Sequence, residues 1–311
     1  MINWLVIGIG DITTRRVIPA IQDEPRSYLY GVVSRNPERA AKFAEHIWDN
    51  LDTALADPKI DAVYVATPVA LHAPQTIAAL RAGKHVLCEK PVAMNYAEAS
   101  SMVAAAQDAG RVLGVAYYRR TYPKVKRAKE LIEQGAIGQP VLAEANHHSE
   151  LPAQGSFRSW LIDPKLSGGG PLFDVASHRI DLFNFLFGNP ARVTAQLSNS
   201  VLKLPVEDNA TVLIEYASGV RGIVDVRWHS KVTRDQFRII GTEGEIDLNP
   251  LSGPELVHAG GKELLPTHQN IHFPCIQNFV EAVLDGSPLI SSGESAIWTD
   301  WITERACGAG A

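Results

Sequence analysis

The sequence predicts an α/β protein in two parts: a doubly wound parallel sheet, then an α+β region on an antiparallel sheet. Three observations carry this reading. Short apolar runs alternate with helical patterns through about residue 117, hairpin signals dominate much of the rest, and 311 residues suit two domains of roughly 150 each.

The first run, 2–7, is mostly apolar and stops at Gly8, as a parallel strand buried on both faces does. Val17, Ile18 and Ile21 then recur at helical spacing. Strands are predicted at 28–33, 62–66, 85–88 and 112–117, with helices at 37–45, 74–82 and 96–108 between them. After residue 120 come a helix at 124–133, a strand at 141–147 and a helix at 172–186. Ala217-Ser218-Gly219 separates alternating runs 211–216 and 220–228, and Thr242-Glu243-Gly244 separates 237–240 from 245–248. Two helices, 271–284 and 294–306, close the chain. The boundary falls near 119–123, giving domains 1–120 and 121–311.

Composition excludes several functions. Hydrophobic residues make up 46% and charged residues 20%, ordinary globular usage. Twenty-nine Lys and Arg against 34 Asp and Glu give a net charge of -5 with no dense basic stretch, so no nucleic-acid partner is expected. Cys88, Cys275 and Cys307 lack metal-ligand spacing and are odd in number, which predicts reduced thiols and no zinc site. The apolar run 4–9 is too short for the core of a secretion signal, and no run reaches membrane-spanning length. A cytoplasmic protein without a membrane partner is expected.

Gly8-Ile9-Gly10-Asp11-Ile12-Thr13 lies between the first strand and the first helix, where backbone amides can hold a pyrophosphate. Gly8 suits the tight turn and Gly10 lets phosphates approach the backbone; Thr13 replaces the third glycine and should hold the helix farther from the strand. The second strand ends in Val33-Ser34-Arg35, with no carboxylate for a ribose 2'-hydroxyl. Ser34 and Arg35, with Arg39 one helical turn on, instead suit a 2'-phosphate, so NADP is the expected cofactor and NAD the alternative. Thr67, Pro68 and His72 follow the 62–66 strand at the same carboxyl edge and are further cofactor contacts, although His72 could equally cap its own helix. Glu89 and Lys90, after the strand 85–88, join them.

Glu89-Lys90-Pro91 and Gly168-Gly169-Gly170-Pro171-Leu172-Phe173-Asp174, followed by His178 and Asp181, resemble the Gfo/Idh/MocA oxidoreductases from the glycine turn to the final helices. The resemblance implies a Rossmann domain followed by an α+β domain with a large, mostly antiparallel open sheet, and a reactive set of Lys90, Asp174 and His178. It also implies a Lys90-Pro91 bond that is often cis, and homodimers or homotetramers formed through the sheet. Independently, Asp174, His178 and Asp181 at i, i+4 and i+7 share one helical stripe. A satisfied core histidine and a metal site are the alternative readings of that stripe; no metal is expected. His178 is the candidate acid/base and Lys90 the cation beside the reacting oxygen, while Asp174 holds a second hydroxyl or the imidazole.

Tyr118 and Arg119 leave the last parallel strand and are candidate substrate contacts, with hinge packing the equal alternative; Trp160 in Phe157-Arg158-Ser159-Trp160, which resembles the family's substrate loop, is a further candidate, with core packing the preferred reading. His147 and His148 should face opposite sides of a strand. The alternating sets Val212, Ile214, Tyr216 and Val224, Val226, Trp228 offer one apolar face for self-association. The expected activity is NADP-dependent hydride transfer to or from a sugar, polyol or related hydroxy/carbonyl compound. A cofactor-binding regulator and a dinucleotide-dependent glycosidase are the alternatives.

Overall fold

The computed structural model describes residues 1–151 and 159–308, and Arg39 by its backbone alone. The chain forms two compact units, Met1–Tyr118 with His268–Ile297, and Arg119–Thr267 with the chain from Trp298 on. The expected second domain, 121–311, therefore loses residues 268–297 to the first unit. The reason is packing: helix Phe273–Asp285 buries Cys275, Ile276, Phe279 and Val280 in the first unit's core, with the Phe279 ring 5.2 Å from that of Trp4.

The first unit is built on six parallel strands: β1 Ile2–Ile7, β2 Ser27–Val33, β3 His46–Trp48, β4 Ala62–Val65, β5 His85–Cys88 and β6 Leu113–Val115. They run in the order β3-β2-β1-β4-β5-β6, which puts the switch point between β1 and β4. The helix expected over 37–45 stops at Ala40 and gives way to a turn, after which come strand β3 and the helix Leu51–Leu55. Strand side chains alternate between two cores: Leu5, Ile7, Val63 and Val65 join one, while Trp4, Val6, Ala62 and Tyr64 join the other. At about 25 cal/mol per Å² of apolar area buried, these two layers dominate the stability of the unit.

The second unit carries eight strands: β7 Pro140–Glu150, β8 Pro190–Ser198, β9 Asn209–Tyr216, β10 Arg221–Arg227, β11 His229–Gly241, β12 Glu245–Asp247, β13 Glu255–His258 and β14 Gly261–Leu264. The order is β14-β13-β12-β11-β7-β10-β9-β8, antiparallel except between β7 and β10. Helix Ser177–Phe187 lies on one face, where Phe183 meets Phe237 at 5.2 Å and Phe187 meets Tyr216 at 5.8 Å. That corrects the apolar face expected to serve self-association. Val212, Ile214, Tyr216, Val224, Val226 and Trp228 are all buried within this chain, and the opposite face, with Leu213 39% exposed, is the outward one. Among the described residues, no helix is long and apolar enough to cross a membrane.

Candidate active site

In the first unit, the candidate residues gather at the carboxyl ends of β1, β2, β4 and β5. Gly8 has φ +94°, and a Cβ there would stand 2.7 Å from the Ala66 carbonyl oxygen, so the turn excludes a side chain on both counts. Gly10 has open space where its Cβ would be, the opening that a closely approaching phosphate needs. Asp11 is exposed and Ile12 half-buried as the turn enters a π-wound stretch, Thr13–Val17. The buried Thr13 hydroxyl donates to the Gly8 carbonyl at 2.9 Å. The third-glycine position thus ties helix to turn through a hydrogen bond. Backbone and open space at this turn fit a dinucleotide.

Beside it, the Ser34 hydroxyl donates to the Asn36 carbonyl and accepts the Asn36 N–H, both at 3.1 Å, which spends its proton on its own turn. Arg35 is exposed; the Arg39 side chain lies outside the described residues. Thr67 donates its hydroxyl to Gln75 Oε1 at 2.8 Å, and half-buried Pro68 precedes the short turn Val69–Leu71.

The His72 side chain does not cap its helix. Its ring nitrogens lie 2.9 Å from two backbone carbonyls, Nδ1 at Pro91 and Nε2 at Thr67. The Lys90-Pro91 bond is cis, and the Lys90 side chain is half-buried.

Glu89 Oε1 accepts from the Tyr64 hydroxyl at 2.8 Å and lies 3.5 Å from His272 Nε2. Burial pushes its carboxyl up, but His272 and Tyr64 outweigh it and hold it below the ordinary range. The Tyr118 ring packs 4.6 Å from the His272 ring. His272 is a neighbour of the candidate residues Glu89 and Tyr118 that sequence reasoning missed. It lies 182 residues after Lys90 in a segment assigned to the other domain, and no local motif marks it.

In the second unit, a π-wound turn, Leu172–Ala176, runs directly into the helix Ser177–Phe187. Asp174 is half-buried and His178 buried. Asp181, the third member of the expected stripe, is paired with Arg120. Both of its oxygens accept from Arg120, Nε to Oδ2 at 2.9 Å and Nη2 to Oδ1 at 2.6 Å. The π turn closes through Ser177 N–H to the Leu172 carbonyl, a five-residue span, so α-helical spacing does not hold across it.

Glu207, also missed by the sequence reading, anchors the start of this helix. Its two oxygens accept the Gly170 N–H at 2.8 Å and the Leu172 N–H at 3.0 Å. A Cβ on Gly170 would collide with the Glu207 carbonyl oxygen, so only glycine lets the turn close onto it. Next to His178, Arg179 donates to Asp235 Oδ1 at 2.6 Å and to His147 Nδ1 at 2.9 Å. His148 faces the other way, its Nε2 2.6 Å from Asp225 Oδ1.

Arg119 donates to Ser252 Oγ at 3.3 Å, and its guanidinium stands 5.5 Å from the centre of the Tyr122 ring. Trp160 is half-buried in the turn Ser159–Ile162, while Phe157 and Arg158 lie outside the described residues.

Residues 2–117 match the oxidoreductase family with an NAD-binding Rossmann fold, and residues 125–247 match the GFO/IDH/MocA C-terminal domain. Over 96% of its length the chain is 31% identical to the 1,5-anhydro-D-fructose reductase of Ensifer adhaerens, covering 93% of that protein. The chain is a Gfo/Idh/MocA oxidoreductase. Other members of the Gfo/Idh/MocA family are similar too. The NADP(+) scyllo-inositol 2-dehydrogenase of Bacillus subtilis is 33% identical over 83% of this chain and 79% of its own. A levoglucosan dehydrogenase structure in complex with NADH superposes with a TM-score of 0.86 at 27% identity, over 99% of this chain and 98% of that one. As a Gfo/Idh/MocA member, this chain is an NAD(P)-dependent dehydrogenase or reductase.

Proposed function

We propose that this enzyme is NADP-linked and interconverts a hydroxyl and a carbonyl group on a sugar, polyol or related compound, with Lys90 and His178 at the reacting oxygen. The observation that carries the reading is the carboxyl edge of the first sheet, where Gly10 leaves open space on the β1 turn and Lys90 follows β5. When bound, the nicotinamide coenzyme supplies or accepts the hydride. Gly8, Gly10, Asp11, Ile12 and Thr13 would hold its pyrophosphate through backbone groups. The Lys90 ammonium stabilises negative charge on the substrate oxygen. His178 gives or takes the hydroxyl proton through its imidazole. Asp174 orients that imidazole or a second substrate hydroxyl.

The substrate class rests on the relatives, which are named for an anhydrofructose, an inositol and levoglucosan. Tyr118, Arg119 and Trp160 are assigned to the substrate's other hydroxyls and its C–H face. The cofactor preference rests on exposed Arg35 in place of a carboxylate. Assembly into a dimer or tetramer is assigned to the outward sheet face around Leu213, and light scattering of the purified protein tests it. A spectrophotometric screen of sugars, polyols and dicarbonyls with NADP, NADPH, NAD and NADH tests the activity. Turnover of at least one such compound with the phosphorylated pair is expected. Turnover confined to NAD and NADH would overturn the cofactor assignment.

A further inference from the structure

We propose that His72 is a positioning residue for Lys90, tying the turn that follows β5 to the turn that follows β4 through one buried imidazole. The inference rests on the assignment of Lys90 to the reacting oxygen.

The ring is only 1% exposed and stands between two strand-end turns. Nδ1 is 2.9 Å from the carbonyl of Pro91, the residue directly after Lys90, and Nε2 is 2.9 Å from the carbonyl of Thr67. Carbonyl oxygens only accept, so each contact needs a ring N–H, and a neutral imidazole has one to give. The charged group whose field favours a second proton is the Glu89 carboxylate; burial opposes it more strongly and holds the imidazole below its ordinary range.

A single proton does more at Pro91. That contact is fully buried, whereas the contact at Thr67 is partly open to water, which can replace a lost donor there. The structure therefore assigns the Nδ1–H to the Pro91 carbonyl, where it fixes the backbone one residue beyond Lys90. Thr67 packs against the second nitrogen.

Three full-length variants test this by steady-state kinetics and coenzyme titration. The amide of Asn can reproduce a donor at the Nδ1 position, and the amide of Gln a donor at the Nε2 position. His72→Ala and His72→Gln should lower kcat about tenfold, the scale of a small misplacement of a reacting group, while His72→Asn stays within about threefold of the parent. Coenzyme Kd should stay within about twofold in all three, which a general loss of structure would not allow. In a Lys90→Ala background, His72→Gln should add no further loss, since both act through one group.

Folded His72→Gln with the parent's kcat, His72→Asn impaired as much as His72→Gln, or additive losses in the Lys90→Ala background would each overturn the proposal. Normal turnover by Lys90→Ala alone would instead remove the role given to Lys90. The two failures are thus read from different proteins.

Discussion

Arg120 and Asp181 form a two-bond ion pair withdrawn from solvent, with Nη2 to Oδ1 at 2.6 Å and neither side chain more than 1% exposed. The pair joins the turn at Tyr118–Thr121 to the helix that carries His178. Replacing Arg120 by Met leaves a buried carboxylate without its partner and should cost about 3–5 kcal/mol, read by urea denaturation. Burial, opposed by Arg120, pushes the Asp181 carboxyl up to about 6. Its folded value is raised above the unfolded one, near 3.8, so the folded chain binds more protons across that window. The contribution of this group is therefore largest below about pH 3.8 and is lost as pH rises through about 6. Asp181→Asn should remove that slope from the stability profile. A slope unchanged in the Asn variant would show that Asp181 is already ionised throughout.

Asp235 should give the opposite sign. Burial pushes its carboxyl up, but His147, Arg179 and Ser252 outweigh burial and hold it far below 3.8. A depressed folded value adds stability above the unfolded pKa that disappears as pH falls below it. Asp235→Asn should therefore destabilise the protein at pH 7 and flatten its acid-side loss, measured by thermal unfolding between about pH 3 and 7. The same change loosens Arg179 beside His178, so its kcat should fall along with its stability.

Lys90→Ala and His178→Asn should each lower kcat by about 10²-fold or more. Both should bind coenzyme like the parent, since neither supplies the glycine turn. Stopped-flow turnover together with fluorescence titration of NADPH checks this. A variant that loses coenzyme binding in proportion to its turnover would move its residue from the chemistry to the coenzyme.

Arg35→Glu should cut the preference for NADP over NAD by roughly one to two decades, because a hydrogen bond to a charged group contributes about 1.5–3 kcal/mol. Ser34→Ala should matter less, since the Ser34 hydroxyl proton already goes to the Asn36 carbonyl at 3.1 Å. Comparing kcat/KM for both oxidised coenzymes separates these two contributions. Equal losses in both variants would put the 2'-phosphate on Ser34 as much as on Arg35.

The parallel sheet was legible because buried strands write themselves as apolar runs, and β1, β2, β4 and β5 all do so. The three-residue β3 was not legible: its register is set by pairing with Gly31, Val32 and Val33 and not by any pattern of its own. The candidate positions Gly8, Lys90, Asp174 and His178 stand out in the sequence because each sits in a local motif. Their supports do not, since His272, Arg120 and Glu207 reach their partners across 183, 61 and 37 residues. Spacing puts Asp181 on one helix with His178, whereas its partner, Arg120, comes from elsewhere in the fold.

Glu207 supplies the last prediction. One carboxylate takes two amides, Gly170 and Leu172, at the start of the helical run that carries Asp174 and His178. Burial pushes this carboxyl up and the two amides pull it back. A negative charge there also complements the positive end of the helix. Glu207→Ala leaves both amides without that acceptor, at about 1–3 kcal/mol for each one that water does not reach. Glu207→Gln keeps one acceptor oxygen, so it should retain part of the stability and part of the turnover. Amide hydrogen exchange should quicken at Gly170 and Leu172 in both variants, more in the Ala variant, while exchange in β1 stays as in the parent. If kcat falls in step with exchange at these two amides, the anchor sets the position of the imidazole. A loss of stability without a change in kcat would confine Glu207 to holding the fold.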